Sequence, residues 1–214
     1  LMLQNQTEEE FADSRFQVLS ELTRLRQLCC DPALVYENYE GGSAKLDLCI
    51  ELIQSAVESG HKILLFSQFT SMIEILTARL QEESISYFVL QGSTKKEQRA
   101  QMVEQFNRDD TSVFCISLKA GGTGLNLTGA DIVIHYDPWW NVAVENQATD
   151  RAHRIGQKNV VTVYKLIAKG TIEEKIIKLQ QMKEELAEEI LSGDEIKTAS
   201  FQREELLELL EERF

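Results

Sequence analysis

VFCISLKAGGTGLNLTGADIVIHYDPWWNVAVENQATDRAHRIGQKNVVTVYK, residues 113–165, is the stretch that decides the fold. Short apolar runs at 113–118, 131–135 and 160–167 alternate with glycine-rich, polar and arginine-bearing connections, the pattern of strands that deliver loops to one edge. After the first run, Lys119-Ala120-Gly121-Gly122-Thr123-Gly124-Leu125-Asn126 places three glycines in four residues. Backbone without Cβ atoms approaches an anion closely, so this loop suits a phosphate, with a plain tight turn as the alternative. It is not a Walker A loop, because no Gly-Lys-Ser/Thr follows at the required spacing. Nor is it the dinucleotide fingerprint, because Leu127 stands where the third glycine belongs, which disfavours an oxidoreductase lobe. A helix over 141–155 would set Gln147, Arg151 and Arg154 on one stripe and Val144, Ala148, Ala152 and Ile155 on another. The alanines let that helix lie close to a sheet. The two guanidiniums then suit phosphate oxygens, or else are surface arginines bridged to Asp150 or Glu145.

Working outward, the run at 62–67 has the length and apolarity of a buried parallel strand, and 85–90 reads as another. At least five strand-like runs separated by helices or loops argue for a mainly parallel α/β sheet. Ser67 and Gln68 fall at a strand's carboxyl end, where open parallel sheets bind ligands; they fit backbone contact with a nucleic-acid strand or simple capping of the next helix by Thr70 or Ser71. Gly92, Ser93 and Thr94 turn into a helix over 95–107, with Thr94 as its cap. Its Lys95, Lys96 and Arg99 form a compact basic group, either a charged face or a phosphate contact. The adjacent Trp139 and Trp140 read as one core and one interface anchor rather than a base-stacking pair. His135 and His153 read as structural.

The flanks are helical. Phe16, Leu19, Leu22, Leu25 and Leu28 recur at helical spacing before Asp31-Pro32, with Arg24 and Arg26 read as solvated charges and Gly41, Gly42 and Ser43 as a hinge. A helix over 45–58 should end at a Gly60 cap. Ile172, Ile176, Leu179, Met182, Leu186 and Ile190 stripe a long helix capped by 170–174, and 203–213 reads as a second, acidic one. The expected division is thus a linker helix at 1–42, a sheet lobe at 43–170 and brace helices at 171–214. The chain's start reads as a cut inside a longer protein.

The formal charge of -13 argues against nucleic acid at first sight. It is unevenly spread: residues 1–59 carry 11 acids and 4 bases, 60–170 carry 11 and 12, and 171–214 carry 13 and 6. The central lobe is close to neutral, so a local basic rim is compatible with it. Four cysteines without a CxxC pair, and only three histidines, offer no zinc spacing and read as buried free thiols in a reducing compartment. No apolar run approaches the ~20 residues of a membrane span, and no signal-peptide pattern opens the chain.

Three ordered segments carry a resemblance: 118–127, Leu-Lys-Ala-Gly-Gly-Thr-Gly-Leu-Asn-Leu; 137–141, Asp-Pro-Trp-Trp-Asn; and 147–157, Gln-Ala-Thr-Asp-Arg-Ala-His-Arg-Ile-Gly-Gln. They closely resemble motifs V and VI of the Swi/Snf-type ATPases of helicase superfamily two. Residues 22–32 are similar to that family's inter-lobe connection, and Gly92-Ser93-Thr94, Arg99 and Phe106-Asn107 extend the likeness over most of the chain. Val142 departs from the proline often found there. The resemblance implies the C-terminal RecA-like lobe of a double-stranded DNA translocase that moves DNA without separating strands. ATP and Mg2+ would then be bound mainly by an N-terminal RecA-like lobe of the same polypeptide, since no Walker A lysine or Walker B acid lies in these residues. Arg151 and Arg154 would reach across to the γ-phosphate, assisted by Gln147. Gly124 and Asn126 would couple that cleft to DNA held along Ser67, Gln68, Lys119, Gly121, Gly122 and Thr123, with Arg99 beside it. It further implies a DNA-bound protein target, no membrane, and an intracellular site, in the nucleoid or the nucleus according to the source. The chain alone is expected to be inactive. A strand-separating DNA or RNA helicase lobe and a non-catalytic nucleotide-binding module are the alternatives.

Overall fold

The computed structural model describes residues 8–118, 120, 125–153, 157 and 159–190. Strands β1 (Ile63–Ser67), β2 (Tyr87–Leu90), β3 (Val113–Ser117), β4 (Ile132–His135) and β5 (Thr162–Lys165) form one sheet in the order β2-β3-β1-β4-β5, parallel at every pairing. Helices α1 (Glu8–Cys30), α2 (Ala44–Glu58), α3 (Thr70–Glu82), α4 (Lys96–Arg108), α5 (Val142–Thr149) and α6 (Ile172–Ile190) surround or extend it, so the expected parallel α/β lobe with flanking helices is what forms.

The period of two along each strand builds two cores at once. Ile63, Leu65, Val113, Cys115, Ile132 and Ile134 face α2 and α3, where Ile50, Ile53, Met72, Ile73 and Leu76 meet them. Leu64, Phe66, Phe114, Ile116 and Val133 face the other way, onto Phe106 of α4 and Ala148 of α5. β1, β3 and β4 are buried on both sides, which is why they read as unbroken apolar runs. β5 departs from that rule: all four of its residues are exposed, as befits a strand at the sheet's edge. The expected run at 160–167 shrinks to four paired residues for the same reason.

Local chemistry sets the helix ends. Ser43 caps α2, its Oγ accepting from Leu46 N at 3.3 Å and donating to Cys30 O at 3.2 Å. At the other end Gly60 takes φ +80°, and the bonds from Gly60 N to Val57 O and from His61 N to Ala56 O close the turn as expected for a glycine cap. Two other expected caps are wrong. The N-cap of α3 is Phe69, not Thr70 or Ser71, and that of α4 is Lys95, not Thr94. Neither makes a side-chain capping bond; instead Ser67 Oγ accepts from Phe69 N, and Thr94 Oγ1 accepts from Gln91 N inside the preceding turn.

The linker and brace elements pack on each other. Leu22 of α1 is buried against Ile172, Ile176 and Leu179 of α6. The start of α6 is fastened by Glu173, which is fully buried, pairs with Lys45 of α2 at 2.7 Å and accepts from Ala168 N at 2.8 Å. Met182, expected in the packing stripe, is 45% exposed. The second acidic helix expected at 203–213 lies outside the described residues. Of the four thiols, Cys30, Cys49 and Cys115 are buried and Cys29 partly so; all are free, and burial pushes Cys49 up to about 12. Among the described residues no helix is long and apolar enough to cross a membrane.

Candidate functional site

Of the expected site residues that are described, Ser67 and Gln68 lie at the carboxyl end of β1, Arg99 reaches the segment after β3 through Ala120 O, and Gln147 and Arg151 follow β4. Strand β1 ends in Ser67, followed by Gln68, and the neighbour across the sheet is the segment after β4, residues 136–141. Asp137 organises that junction. It is buried, and it accepts from Ser67 Oγ at 2.5 Å and from Gln68 N at 3.3 Å. Burial pushes its carboxyl up from the usual range, against the pull of Arg26 3.8 Å away. Ser67's hydroxyl is therefore turned inward, whereas Gln68 stays half-buried at the rim.

Arg26 corrects an expectation outright. It is 2% exposed rather than solvated, and its Nη2 donates to Pro138 O at 2.6 Å. Arg24, two residues away, is exposed as expected. The tryptophan pair faces this guanidinium: its carbon lies 4.5 Å from the Trp140 ring centroid and 5.6 Å from that of Trp139.

Of the glycine loop, Ala120 and the exit from Leu125 onward belong to the described residues; Lys119, Gly121, Gly122, Thr123 and Gly124 lie outside them. Arg99 donates from Nε to Thr94 O at 2.8 Å, from Nη2 to Gln91 O and Gly92 O at 3.3 and 3.1 Å, and from Nη1 to Ala120 O at 3.4 Å. It staples the turn after β2 to the loop after β3, so its fork is turned to carbonyls. At the exit, Asn107 donates from Nδ2 to Asn126 O and accepts from Gly129 N, both at 2.9 Å. Gln157 donates from Nε2 to Ala130 O at 2.7 Å and to Thr128 O and Ala152 O at 3.3 Å. The side chain of Asn126 itself is exposed.

The helix expected over 141–155 is shorter, ending at Thr149. Its last turn tightens: Arg151 N bonds Ala148 O, Ala152 N bonds Thr149 O, and the Arg151 carbonyl accepts from Leu127 N at 3.1 Å instead of from the helix. Gln147 and Arg151 consequently do not share an open stripe. Gln147 is exposed, whereas Arg151 is 4% exposed; Arg154 lies outside the described residues. Glu145 is buried beneath α5 and serves Lys165 of β5 at 2.6 Å, Trp139 N at 3.2 Å and Gln180 Nε2 of α6 at 3.2 Å. Burial works against its charge, but Lys165 outweighs it and holds the carboxyl below its usual range. Beside it, His135 reaches Thr149 Oγ1 at 3.0 Å, and burial lowers its pKa to about 4. Thr149 Oγ1 itself donates to Glu145 O, so the imidazole donates from Nε2 and is neutral, which keeps it structural.

The residues that reading by sequence missed are those that hold loops rather than touch ligands: Arg26, Asn107, Asp137, Glu145 and Gln157. No group of three or more acid, histidine or cysteine side chains able to hold a metal occurs among the described residues.

A family model described as "Helicase conserved C-terminal domain" matches residues 44–156. The chain is 45% identical over 202 residues to an "Uncharacterized ATP-dependent helicase" of Mycoplasma pneumoniae, covering 92% of this chain and 19% of the relative. It is 44% identical over 169 residues to the "Chromatin-remodeling ATPase INO80" of Homo sapiens, covering 78% and 11%. The chain thus spans about a fifth or less of these relatives' length. Among solved structures, the Sulfolobus solfataricus SWI2/SNF2 ATPase core in complex with dsDNA superposes with a TM-score of 0.75 at 33% identity, covering 100% of this chain and 45% of that one.

Proposed function

The chain belongs to the helicase conserved C-terminal domain family, as a RecA-like lobe of the Swi/Snf type, and from that premise we propose that it is the second motor lobe of an ATP-dependent double-stranded DNA translocase. The observation that carries this reading is the convergence of Gln68, the frame of the glycine loop and the turn bearing Arg151 on one edge of a parallel sheet. Open α/β sheets bind ligands at that edge. The relatives' names supply the nucleotide, and the structural neighbour's dsDNA supplies the polymer.

ATP, when bound with Mg2+, supplies the phosphoryl group whose transfer to water drives movement. Asp137 and Glu145, the buried carboxylates of this edge, are already occupied by Arg26 with Ser67 and by Lys165. Mg2+ is accordingly assigned to the N-terminal lobe of the same polypeptide, and this lobe contributes cations. Arg154, assisted by Arg151, stabilises charge that develops on the phosphoryl oxygens, an effect of about a thousandfold or more for finger-type arginines. Gln147 stands exposed on α5, ahead of that segment, available to the cleft. Because the Arg151 carbonyl holds Leu127, movement of the arginine turn shifts the exit of the glycine loop with Gly124 and Asn126. Gln68, Lys119, Gly121, Gly122 and Thr123 form the DNA track. Ser67 and Arg99 position that track from inside, through Asp137 and Ala120 respectively.

The test is Arg154→Ala in the full-length protein. ATP turnover is expected to fall at least a thousandfold with DNA affinity within threefold of wild type. An equal loss of both would move Arg154 to the DNA track, and robust strand displacement by the wild-type motor would replace translocation with unwinding.

A further inference from the structure

One buried cation has no part in the nucleotide or DNA chemistry above. Arg26 leaves α1 to sit in a box whose walls come from elsewhere in the chain: Phe69 before α3, with its ring centroid 5.5 Å from the guanidinium carbon, and Asp137, Pro138, Trp139 and Trp140 after β4. Its Nε is buried without a hydrogen-bond partner among the described residues, so ring faces and the two contacts through Nη2 fix its pose. The segment it grips is joined to both halves of the proposed site. On one side Asp137 holds Gln68 N and Ser67; on the other, Glu145 of α5 accepts from Trp139 N. The rest of α1 from Leu22 is also tied down. Tyr136 donates its phenol to Cys30 O at 2.9 Å, and Leu22 is 1% exposed against α6.

We propose that Arg26 is a positioning residue that makes α1 part of this lobe and, through Asp137 and Pro138, ties the direction of the incoming chain to the Gln68 rim and to α5. The pivot between lobes then lies before Leu22 and not at Gly41, Gly42 and Ser43, where a glycine-rich stretch suggested it. The attachment stands on contacts within this lobe; only what it transmits rests on the motor reading. Lysine keeps the charge but loses the planar fork and its stacking on the rings. Removing the charge alone would strand Asp137 in the interior, so the neutral pair Arg26→Gln with Asp137→Asn is the cleaner companion variant.

Two measurements test it. In the 214-residue chain, backbone hydrogen exchange of Arg26→Lys and of the neutral double variant is expected to quicken at least tenfold at residues 22–30 and at Gln68, while β1 and β3 keep wild-type protection. Unchanged exchange in α1, or a uniform loss across the sheet, would overturn the proposal. In the full-length protein, Arg26→Lys is expected to cut the ratio of DNA-stimulated to DNA-independent ATP turnover at least fivefold, with DNA-independent turnover within twofold of wild type. An unchanged ratio, or equal loss of both rates, would overturn it. If wild-type protein shows no DNA stimulation, the motor reading fails, and hydrogen exchange decides the role of Arg26 by itself.

Discussion

A methyl group at position 129 would lie 2.9 Å from Asn107 Oδ1 and 3.0 Å from Asn107 Cα, closer than real contacts allow. Gly129→Ala should therefore push Asn107 off both of its loop bonds and cost about 1–3 kcal/mol, read as a lower urea midpoint. His135 sets a pH response. Its folded pKa of about 4 lies below the unfolded value near 6.5, so below 6.5 the unfolded chain takes up a proton that the native one refuses. Stability should fall as pH drops from about 6.5 to 4, by up to about 3 kcal/mol, and His135→Asn should flatten that limb of the urea-midpoint profile. Residue types announced little of this. Arg26 sits among exposed helix neighbours and looks like any surface arginine, since nothing local reveals that Pro138 and Trp140, more than a hundred positions away, will close over it. Asn107 and Gln157 likewise act through long-range bonds that no spacing rule encodes.

Elements were far more legible than their ends. The apolar runs of β1, β3 and β4 announced buried parallel strands because period-two burial on both faces leaves no room for polar residues. α5 was overestimated because its alanine stripe continues past the point where Leu127 captures the Arg151 carbonyl, and tertiary bonding outweighs propensity there. The cap of α4 failed for a related reason: the Thr94 hydroxyl, able to cap a helix, bonds within the turn before it. The α1–α6 contact makes a prediction of its own. Leu22→Ala opens a void under Ile172, Ile176 and Leu179 and should cost about 2–4 kcal/mol, seen as a lower urea midpoint with an unchanged slope.

At the scale of the molecule, the glycine loop, the tryptophan pair and the arginine segment pointed to one edge as the candidate site, because strand-to-loop order survives in any parallel sheet. How that edge is braced from α1 and α6 was not legible, since the bracing joins opposite ends of the chain. In the proposed motor, this lobe presents one wall of a two-walled cleft. The 214-residue chain should accordingly hydrolyse ATP no faster than buffer, with or without DNA, in a phosphate-release assay; DNA-stimulated release would show that the chain is sufficient by itself. The strand order has a further consequence, for how the protein is made. β1 occupies the middle of the sheet, yet its partners, paired as Ile63 with Val113 and Ile63 with Ile132, emerge from the ribosome long after it. A nascent chain halted before residue 132 must carry its greasiest strand half-sheltered, a target for chaperones and proteases until β4 arrives to close the other flank.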